Sequence, residues 1–128
     1  LVGSEMCIRD SDLPSHLAVR YASPSSGRVE DWEWVDKGEV RTIPMRGRVI
    51  VNSAEAYIAA CLAGLGLIQI PAYDVKAHLR AGELVEVMPE HRAQSLPMAL
   101  LYPHRQHLSR RLQLFADWLD ALLRREIL

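Results

Sequence analysis

The chain has 128 residues, of which 49% are hydrophobic and 24% are charged, and its formal net charge is -1. This composition is that of a globular domain, and the balanced charge excludes a broad basic surface for binding nucleic acid directly. No apolar run reaches the roughly 18–20 residues of a membrane span, so no membrane association is predicted. The two cysteines, Cys7 and Cys61, make no disulfide framework and favour a reducing cytoplasm.

The first residues of the chain differ from the rest. Leu1–Ser11 shows no hydrophobic periodicity and no pattern of turn-forming residues, and the character of the sequence changes abruptly at Asp12. We predict that residues 1–11 are a non-native leader and leave them out of the fold prediction. The alternative is a native, disordered N-terminus. The predicted domain therefore covers residues 12–128.

Alternation of apolar and polar residues with a period of two predicts β-strands in the next part of the chain. The first is Leu17–Ala22, and a loop rich in serine, Ser23–Gly27, follows it. Asp31–Val35 and Glu39–Ile43 flank turn-forming residues, so they predict an antiparallel hairpin. Arg48–Val51 is predicted as the next strand.

The predicted hairpin carries aromatic and acidic side chains. Trp32 and Trp34 share one of its faces. Such a pair can form a stacking platform, although it more often covers the face of a sheet. Asp31, Glu33 and Asp36 also belong to the hairpin, but no second group converges on them by spacing, so no general acid–base pair is predicted.

The run Val49–Tyr73 (VIVNSAEAYIAACLAGLGLIQIPAY) predicts a strand, a capped helix, a glycine turn, a buried strand and a proline stop. This order is a βαβ unit. Asn52 is predicted to cap the helix, because Glu55 follows it at the spacing of a capping box. The predicted apolar face of this helix comprises Ala54, Tyr57, Ile58, Cys61, Leu62 and Leu65.

A glycine turn links this helix to the second strand of the βαβ unit. Gly64 and Gly66 are predicted to end the helix through positive φ angles. The strand Leu67–Ile70 is short and apolar, which suits burial on both faces. The run Gly64–Gln69 (GLGLIQ) resembles a dinucleotide fingerprint only superficially, because its third glycine is absent and it follows a helix.

The part of the chain from Pro71 onward is predicted to add two strands and two helices. Pro71 suits the first turn of a helix that Gly82 closes. Leu84–Met88 and Met98–Tyr102 are predicted strands, and Ser109 is predicted to cap the final helix. The apolar stripe of that helix comprises Leu112, Phe115, Leu119, Leu122 and Leu123.

The sequence carries little reactive chemistry. His104 and His107 lie three residues apart without a nearby carboxylate or cysteine. We therefore predict a solvated turn there, and we predict no metal or cofactor site. Cys61 lies on an apolar helix face, where a small hydrophobic role is predicted over a redox-sensing one. No phosphate-binding loop or nucleophile elbow is present, and the chain is not predicted to be an enzyme.

Small polar side chains follow the carboxyl ends of the predicted strands, where open α/β sheets hold ligands. A helix that begins at this edge favours an anion through its free amides. The residues in question are Ser23, Ser25, Ser26, Asn52, Ser53, Pro71 and Tyr73. Ordinary capping and turn chemistry is the alternative, and it accounts fully for Asn52 and Ser25.

The ordered series of these segments resembles the effector-binding domain of LysR-type transcriptional regulators. The matching segments are Arg46–Asn52, Glu55–Ile70, Pro71, Gly82–Val85, Leu101–His104 and Leu108–Leu119. The resemblance implies an α/β, type 2 periplasmic-binding-protein-like fold. Residues 12–89 would form most of the second lobe, and residues 90–128 would return to the first lobe as its final strand and helix.

The resemblance also implies a function and a site. A small-molecule effector, anionic or aromatic, would bind between the lobes and modulate DNA binding by a winged helix-turn-helix domain absent from this chain. The full-length protein would be a cytoplasmic homodimer or homotetramer. The cleft positions of the family carry over to Ile70, Pro71 and Tyr73 and to Asn52 and Ser53, and more weakly to Ser25 and Ser26. The alternatives are a solute-binding protein of the same fold and, less favoured, an enzyme on a similar scaffold.

Overall fold

The computed structural model describes residues 10–102 and 109–127. The chain forms two compact units, the first ending at Gln94 and the second beginning at Ser95. The elements are a 3-10 helix (Asp10–Ser15), β1 (Arg20–Tyr21), β2 (Trp32–Asp36), β3 (Glu39–Ile43), β4 (Ile50–Val51), α1 (Ala54–Leu62), α2 (Ala72–Ala81) and α3 (Arg110–Ile127). Among the described helices, none has the length and apolar character needed to cross a membrane.

Strand β1 is the centre of a small parallel arrangement. It pairs with β4, with Tyr21 opposite Val51. On the other edge of the same segment, the Val19 N–H donates to the Leu67 carbonyl and the Leu67 N–H donates to the Leu17 carbonyl, both at 2.9 Å. Helix α1 therefore connects two parallel neighbours of β1, and the predicted βαβ unit is confirmed.

The strands of this unit are shorter than predicted. Within the predicted strand Leu17–Ala22, only Arg20–Tyr21 forms a strand, with isolated bridges beside it. Within the predicted strand Arg48–Val51, only β4 forms. The predicted strand Leu67–Ile70 is reduced to a single bridge at Leu67. The strands are short because only a few positions of each segment have a hydrogen-bonding partner in the backbone of a neighbouring segment.

The tryptophan hairpin is confirmed, with β2 and β3 antiparallel and Trp34 opposite Arg41. Its turn is Lys37-Gly38, with φ of 50° and 83°, the left-handed geometry that two-residue hairpin turns require. Trp32 is 8% exposed, and Trp34 packs against the same cluster. The pair therefore covers a core, which is the more common of the two roles considered.

Two hydrophobic clusters lie on opposite faces of the β1 segment. Consecutive strand residues point to opposite faces, and Ala18 and Val19 are 3% and 2% exposed. The first cluster contains Leu13, Ala18, Trp32, Met45 and Met88. The second contains Val19, Tyr57 and Ala60, with Tyr21, Val51, Ile68 and Ile70 packed against them. The central segment is thus buried on both faces, as in other α/β sheets.

The cap of α1 differs from the prediction. Ser53, rather than Asn52, is the N-cap, and its hydroxyl accepts a hydrogen bond from the Ala56 N–H at 3.3 Å. Glu55 therefore lies one position too early for a capping box. The helix ends at Leu62, and it buries Tyr57 and Ala60 rather than the whole predicted face. A single stripe suffices because α1 packs against one short strand segment.

Helix α2 is closed by Gly82 in the left-handed region, as predicted, but Pro71 is its N-cap rather than part of its first turn. The predicted strand Leu84–Met88 is wrong. Met88 is buried but has a φ of 55°, which turns the chain out of an extended course, and Val85 is exposed.

In the second unit, the predicted strand Met98–Tyr102 is also wrong. No strand occurs in the described residues from Ser95 onward, because the segment has no ladder partner among them. Helix α3 follows as predicted, and the Leu112 N–H donates to the Ser109 hydroxyl at 3.3 Å. Its described residues include none that is buried, and the rings of Phe115 and Trp118 pack in a tilted arrangement with centroids 5.7 Å apart.

Candidate functional site

Three segments of the first unit end at the same edge of the sheet. The segments through Tyr21, Val51 and Leu67 run parallel, so their carboxyl ends point in one direction. Beyond these ends lie the serine loop Ser23–Ser26, the start of α1 at Asn52–Ser53, and Ile70–Tyr73 at the start of α2. We call these three pieces the ligand edge. Each of the predicted site residues lies on one of these three pieces.

The serine loop is a hydrogen-bonded turn. The hydroxyls of Ser23 and Ser25 lie 3.0 Å apart, and the Arg28 N–H donates to the Ser26 hydroxyl at 3.3 Å. The Gly27 N–H donates to the Ser23 carbonyl at 2.8 Å. Ser25 and Ser26 are exposed, so their hydroxyls stay open to solvent on the side away from these bonds.

The start of α1 presents backbone amides beside a free polar side chain. The Asn52 side chain is exposed and has no hydrogen bond within the described part of the chain. Ser53 is engaged as the N-cap. Glu55 lies in the first turn, where a carboxylate already interacts favourably with the helix dipole. An added anion at this helix start would therefore be attracted by the amides and repelled by the Glu55 carboxylate.

The start of α2 offers an aromatic side chain. Pro71 is the N-cap and makes no side-chain cap bond, and the Asp74 N–H donates to its carbonyl at 3.1 Å. Tyr73 is 44% exposed. Ile70 is half-buried and packs against the cluster of Val19, Tyr57 and Ala60, so its side chain supports the edge from the core.

The sequence did not single out Gln69, and it placed Tyr57 only as a core residue. The Gln69 carboxamide Nε2 donates to the Glu33 carbonyl at 2.5 Å, and the Glu33 N–H donates to the Gln69 Oε1 at 3.1 Å. The Gln69 N–H donates to the Tyr57 hydroxyl at 3.0 Å. The available signal was a lone amide inside the apolar run LIQI.

Burial raises the pKa values of two side chains of α1. It raises the pKa of the Tyr57 hydroxyl, and the hydrogen bond from the Gln69 backbone opposes this only in part. Burial also raises the pKa of the half-buried Cys61 thiol. A raised pKa leaves less of the nucleophilic thiolate, which agrees with the predicted hydrophobic role of Cys61.

Alkaline pH is expected to destabilise the first unit through these groups. The unfolded chain loses these protons from roughly pH 8.5 for cysteine and pH 10 for tyrosine, while the folded state holds them to higher pH. Deprotonation therefore increasingly favours the unfolded state as the pH rises above these values. The stabilisation of the folded state by the two protonated groups is fully present at lower pH. Urea unfolding at pH 8 and pH 10.5 measures this loss, and Tyr57→Phe should make it smaller. An equally steep loss in Tyr57→Phe would contradict the assignment to Tyr57.

Metal ligation finds no support in residues 10–102 and 109–127, where no group of three or more His, Cys, Asp or Glu could hold an ion. His104 and His107 lie outside the described residues. The solvated turn predicted for them stays a prediction.

Comparison with known proteins places this geometry in a family context. The model of the LysR substrate binding domain matches residues 5–124. The uncharacterized HTH-type transcriptional regulator YhjC of Escherichia coli is 43% identical over 113 residues, covering 88% of this chain and 38% of that protein. The HTH-type transcriptional regulator PgrR of the same organism is 28% identical over 107 residues, covering 84% and 36%. The chain thus spans little more than a third of the length of these relatives.

The solved structures agree. The regulatory domain of AphB from Vibrio vulnificus superimposes with a TM-score of 0.65 at 26% identity, covering 92% of this chain and 57% of that one. The same domain treated with cumene hydroperoxide gives the same values. The type 2 periplasmic-binding-protein-like fold that the resemblance implied is confirmed by these matches.

Proposed function

Since this chain belongs to the LysR substrate binding domain family, we propose that the ligand edge binds the small-molecule effector of a transcriptional regulator. The observation that supports this site most directly is the convergence of three chain segments at one sheet edge, each followed by a loop or a helix start. Ligands of open α/β sheets bind outside the carboxyl ends of the strands. The contacts would come from Ser25, Ser26, Asn52, Ser53, Ile70, Pro71 and Tyr73.

The chemistry of the edge favours a small aromatic anion. Helices α1 and α2 both begin there, and helix N-termini attract negative charge through their unpaired amides. The exposed ring of Tyr73 offers an aromatic face beside the start of α2. The first-turn carboxylates Glu55 and Asp74 oppose a large negative charge, so a single carboxylate suits the edge better than a dianion.

Benzoate is the probe that tests this site. Titration of the chain, followed by amide NMR, should shift the signals of Asn52, Ser53 and Tyr73. Tyr73→Ala is expected to weaken binding about fivefold to tenfold, as the loss of one aromatic contact predicts. Tyr102→Ala is the matched control, because Tyr102 is 47% exposed but lies in the second unit. Shifts confined to the second unit, or equal losses in both variants, would contradict the site.

In the whole protein, effector binding would shift the population between lobe arrangements and so alter DNA binding by a helix-turn-helix domain. This proposal is supported by the relatives, whose names describe them as HTH-type transcriptional regulators rather than enzymes. Such a regulator would act in the cytoplasm as a homodimer or homotetramer. The division into lobes at residues 12–89 and 90–128, and the non-native character of residues 1–11, stay predictions.

A further inference from the structure

The side chain of Gln69 takes the place of a neighbouring strand beside β2. Its Nε2 donates to the Glu33 carbonyl at 2.5 Å, and its Oε1 accepts from the Glu33 N–H at 3.1 Å. These are the two bonds that a paired antiparallel residue would exchange with Glu33. Leucine could make neither bond, and an ionised glutamate could only accept. The carboxamide therefore fixes position 69 against the hairpin.

The backbone of Gln69 is tied to the ligand edge. Its N–H donates to the hydroxyl of Tyr57, a buried residue of the helix that opens at Ser53. Gln69 also directly precedes Ile70 and Pro71. A displacement at the start of α1 thus reaches Gln69 through its hydrogen bond to the Tyr57 hydroxyl. A displacement at the start of α2 reaches it through the two peptide units between Pro71 and Gln69.

Glu33 continues this connection on its other side. Its carboxylate Oε1 accepts a hydrogen bond from the Gln94 N–H at 3.1 Å. Two residues along β2, the Val35 N–H donates to the Arg92 carbonyl at 3.0 Å. Gln94 is the last residue of the first unit. The contacts therefore run without a break from the ligand edge to the point where the chain leaves that unit.

We propose that Tyr57, Gln69, Glu33 and Gln94 form a relay that couples the ligand edge to the backbone at Gln94. In this relay Gln69 is a positioning residue, which does not touch the ligand but transmits the position of Pro71 to Glu33. The relay rests on the proposed function, because it supplies the output of that site. Physical connection alone does not establish coupling, so the test must measure coupling itself.

The test perturbs one end of the relay and observes the other in the 128-residue chain. Pro71→Ala disturbs the ligand edge without any ligand, and amide NMR reports the chemical shift and hydrogen-exchange rate of Gln94. Pro71→Ala is expected to move the Gln94 signal in the parent chain and to leave it unmoved in Gln69→Leu and in Glu33→Ala. Glu33→Ala alone should speed exchange at Gln94 about fivefold, the factor that the loss of one ordinary hydrogen bond predicts.

Controls separate coupling from stability. Glu33→Gln keeps an acceptor oxygen and should keep the response, and Gln113→Leu repeats the glutamine-to-leucine change on an exposed position of α3. If Gln69→Leu does not fold, Glu33→Ala decides, because it leaves the backbone bonds to Gln69 in place. A Gln94 signal that ignores Pro71→Ala in the parent, or that still responds in Glu33→Ala, would overturn the relay. Benzoate binding is measured separately, so failure of the relay and failure of the site are distinguishable.

Discussion

Gly66→Ala is expected to prevent the first unit from folding stably. Gly66 has a φ of 150°, a region that residues with a side chain rarely occupy. A Cβ at this position would lie 2.6 Å from the Leu17 carbonyl oxygen and 2.9 Å from two backbone atoms of Ala18. The strain and the overlap together should cost at least about 3 kcal/mol, a large part of the stability of a small domain.

The clash at Gly66 is difficult to relieve because every atom involved is backbone of the central segment. Leu17 and Ala18 are held by the bridges to Arg46 and Leu67, so moving them breaks the parallel arrangement. Flexible side chains could move aside, but none of the close atoms belongs to one. The substitution therefore acts on the sheet itself rather than on local packing.

Gly64→Ala is the matched control for this prediction. Gly64 also has a positive φ, 77°, but nothing lies within 4 Å of its would-be Cβ. Its replacement should cost only about 1–2 kcal/mol, the penalty of the left-handed conformation. Thermal and urea unfolding of both variants measure the difference. Equal losses of stability would show that the close approach at Gly66 contributes nothing.

The sequence predicted the elements whose signals are local. Asp36-Lys37-Gly38 between two alternating runs predicted the hairpin, although Asp36 belongs to β2 itself. Pro71 and Gly82 predicted the ends of α2, although Pro71 is its N-cap rather than part of its first turn. Each signal depends on the backbone preferences of a few residues. Leu84–Met88 failed as a strand although its composition was suitable. A strand requires a partner and an extended backbone, and the left-handed Met88 supplies neither.

The sequence could predict where the candidate residues lie relative to the strands, but not the hydrogen bonds around Gln69. Strand order follows from the βαβ pattern, so the sequence could assign Asn52 and Pro71 to one edge. The bonds between Gln69 and Glu33 join residues 36 positions apart, and nothing local in the sequence encodes such a pairing. The choice of Ser53 over Asn52 as the cap shows the same limit, since both side chains suit the role and the local sequence does not distinguish them.

Two substitutions of Tyr57 should separate the packing of its ring from the hydrogen bond of its hydroxyl. Tyr57 is 6% exposed, and its ring lies 5.2 Å from that of Tyr21. Tyr57→Ala removes the ring from the cluster around Val19 and should lower the free energy of unfolding by about 3–5 kcal/mol, as for other large aromatic truncations. Tyr57→Phe keeps the ring and should cost about 1–2 kcal/mol, because it leaves the Gln69 N–H without its acceptor.

The two variants should also differ in how far their effects reach. If the hydroxyl holds Gln69 in place, Tyr57→Phe should disturb the amide signals of Gln69 and Glu33 while those of the cluster around Val19 stay unchanged. Tyr21→Phe is a matched control, since it removes a hydroxyl from the neighbouring ring without touching Gln69. Urea unfolding and amide NMR of the three variants provide the measurements. A loss of stability in Tyr57→Phe no greater than in Tyr21→Phe would mean that the ring alone makes Tyr57 important, and that Gln69 is positioned by Glu33 without help from α1.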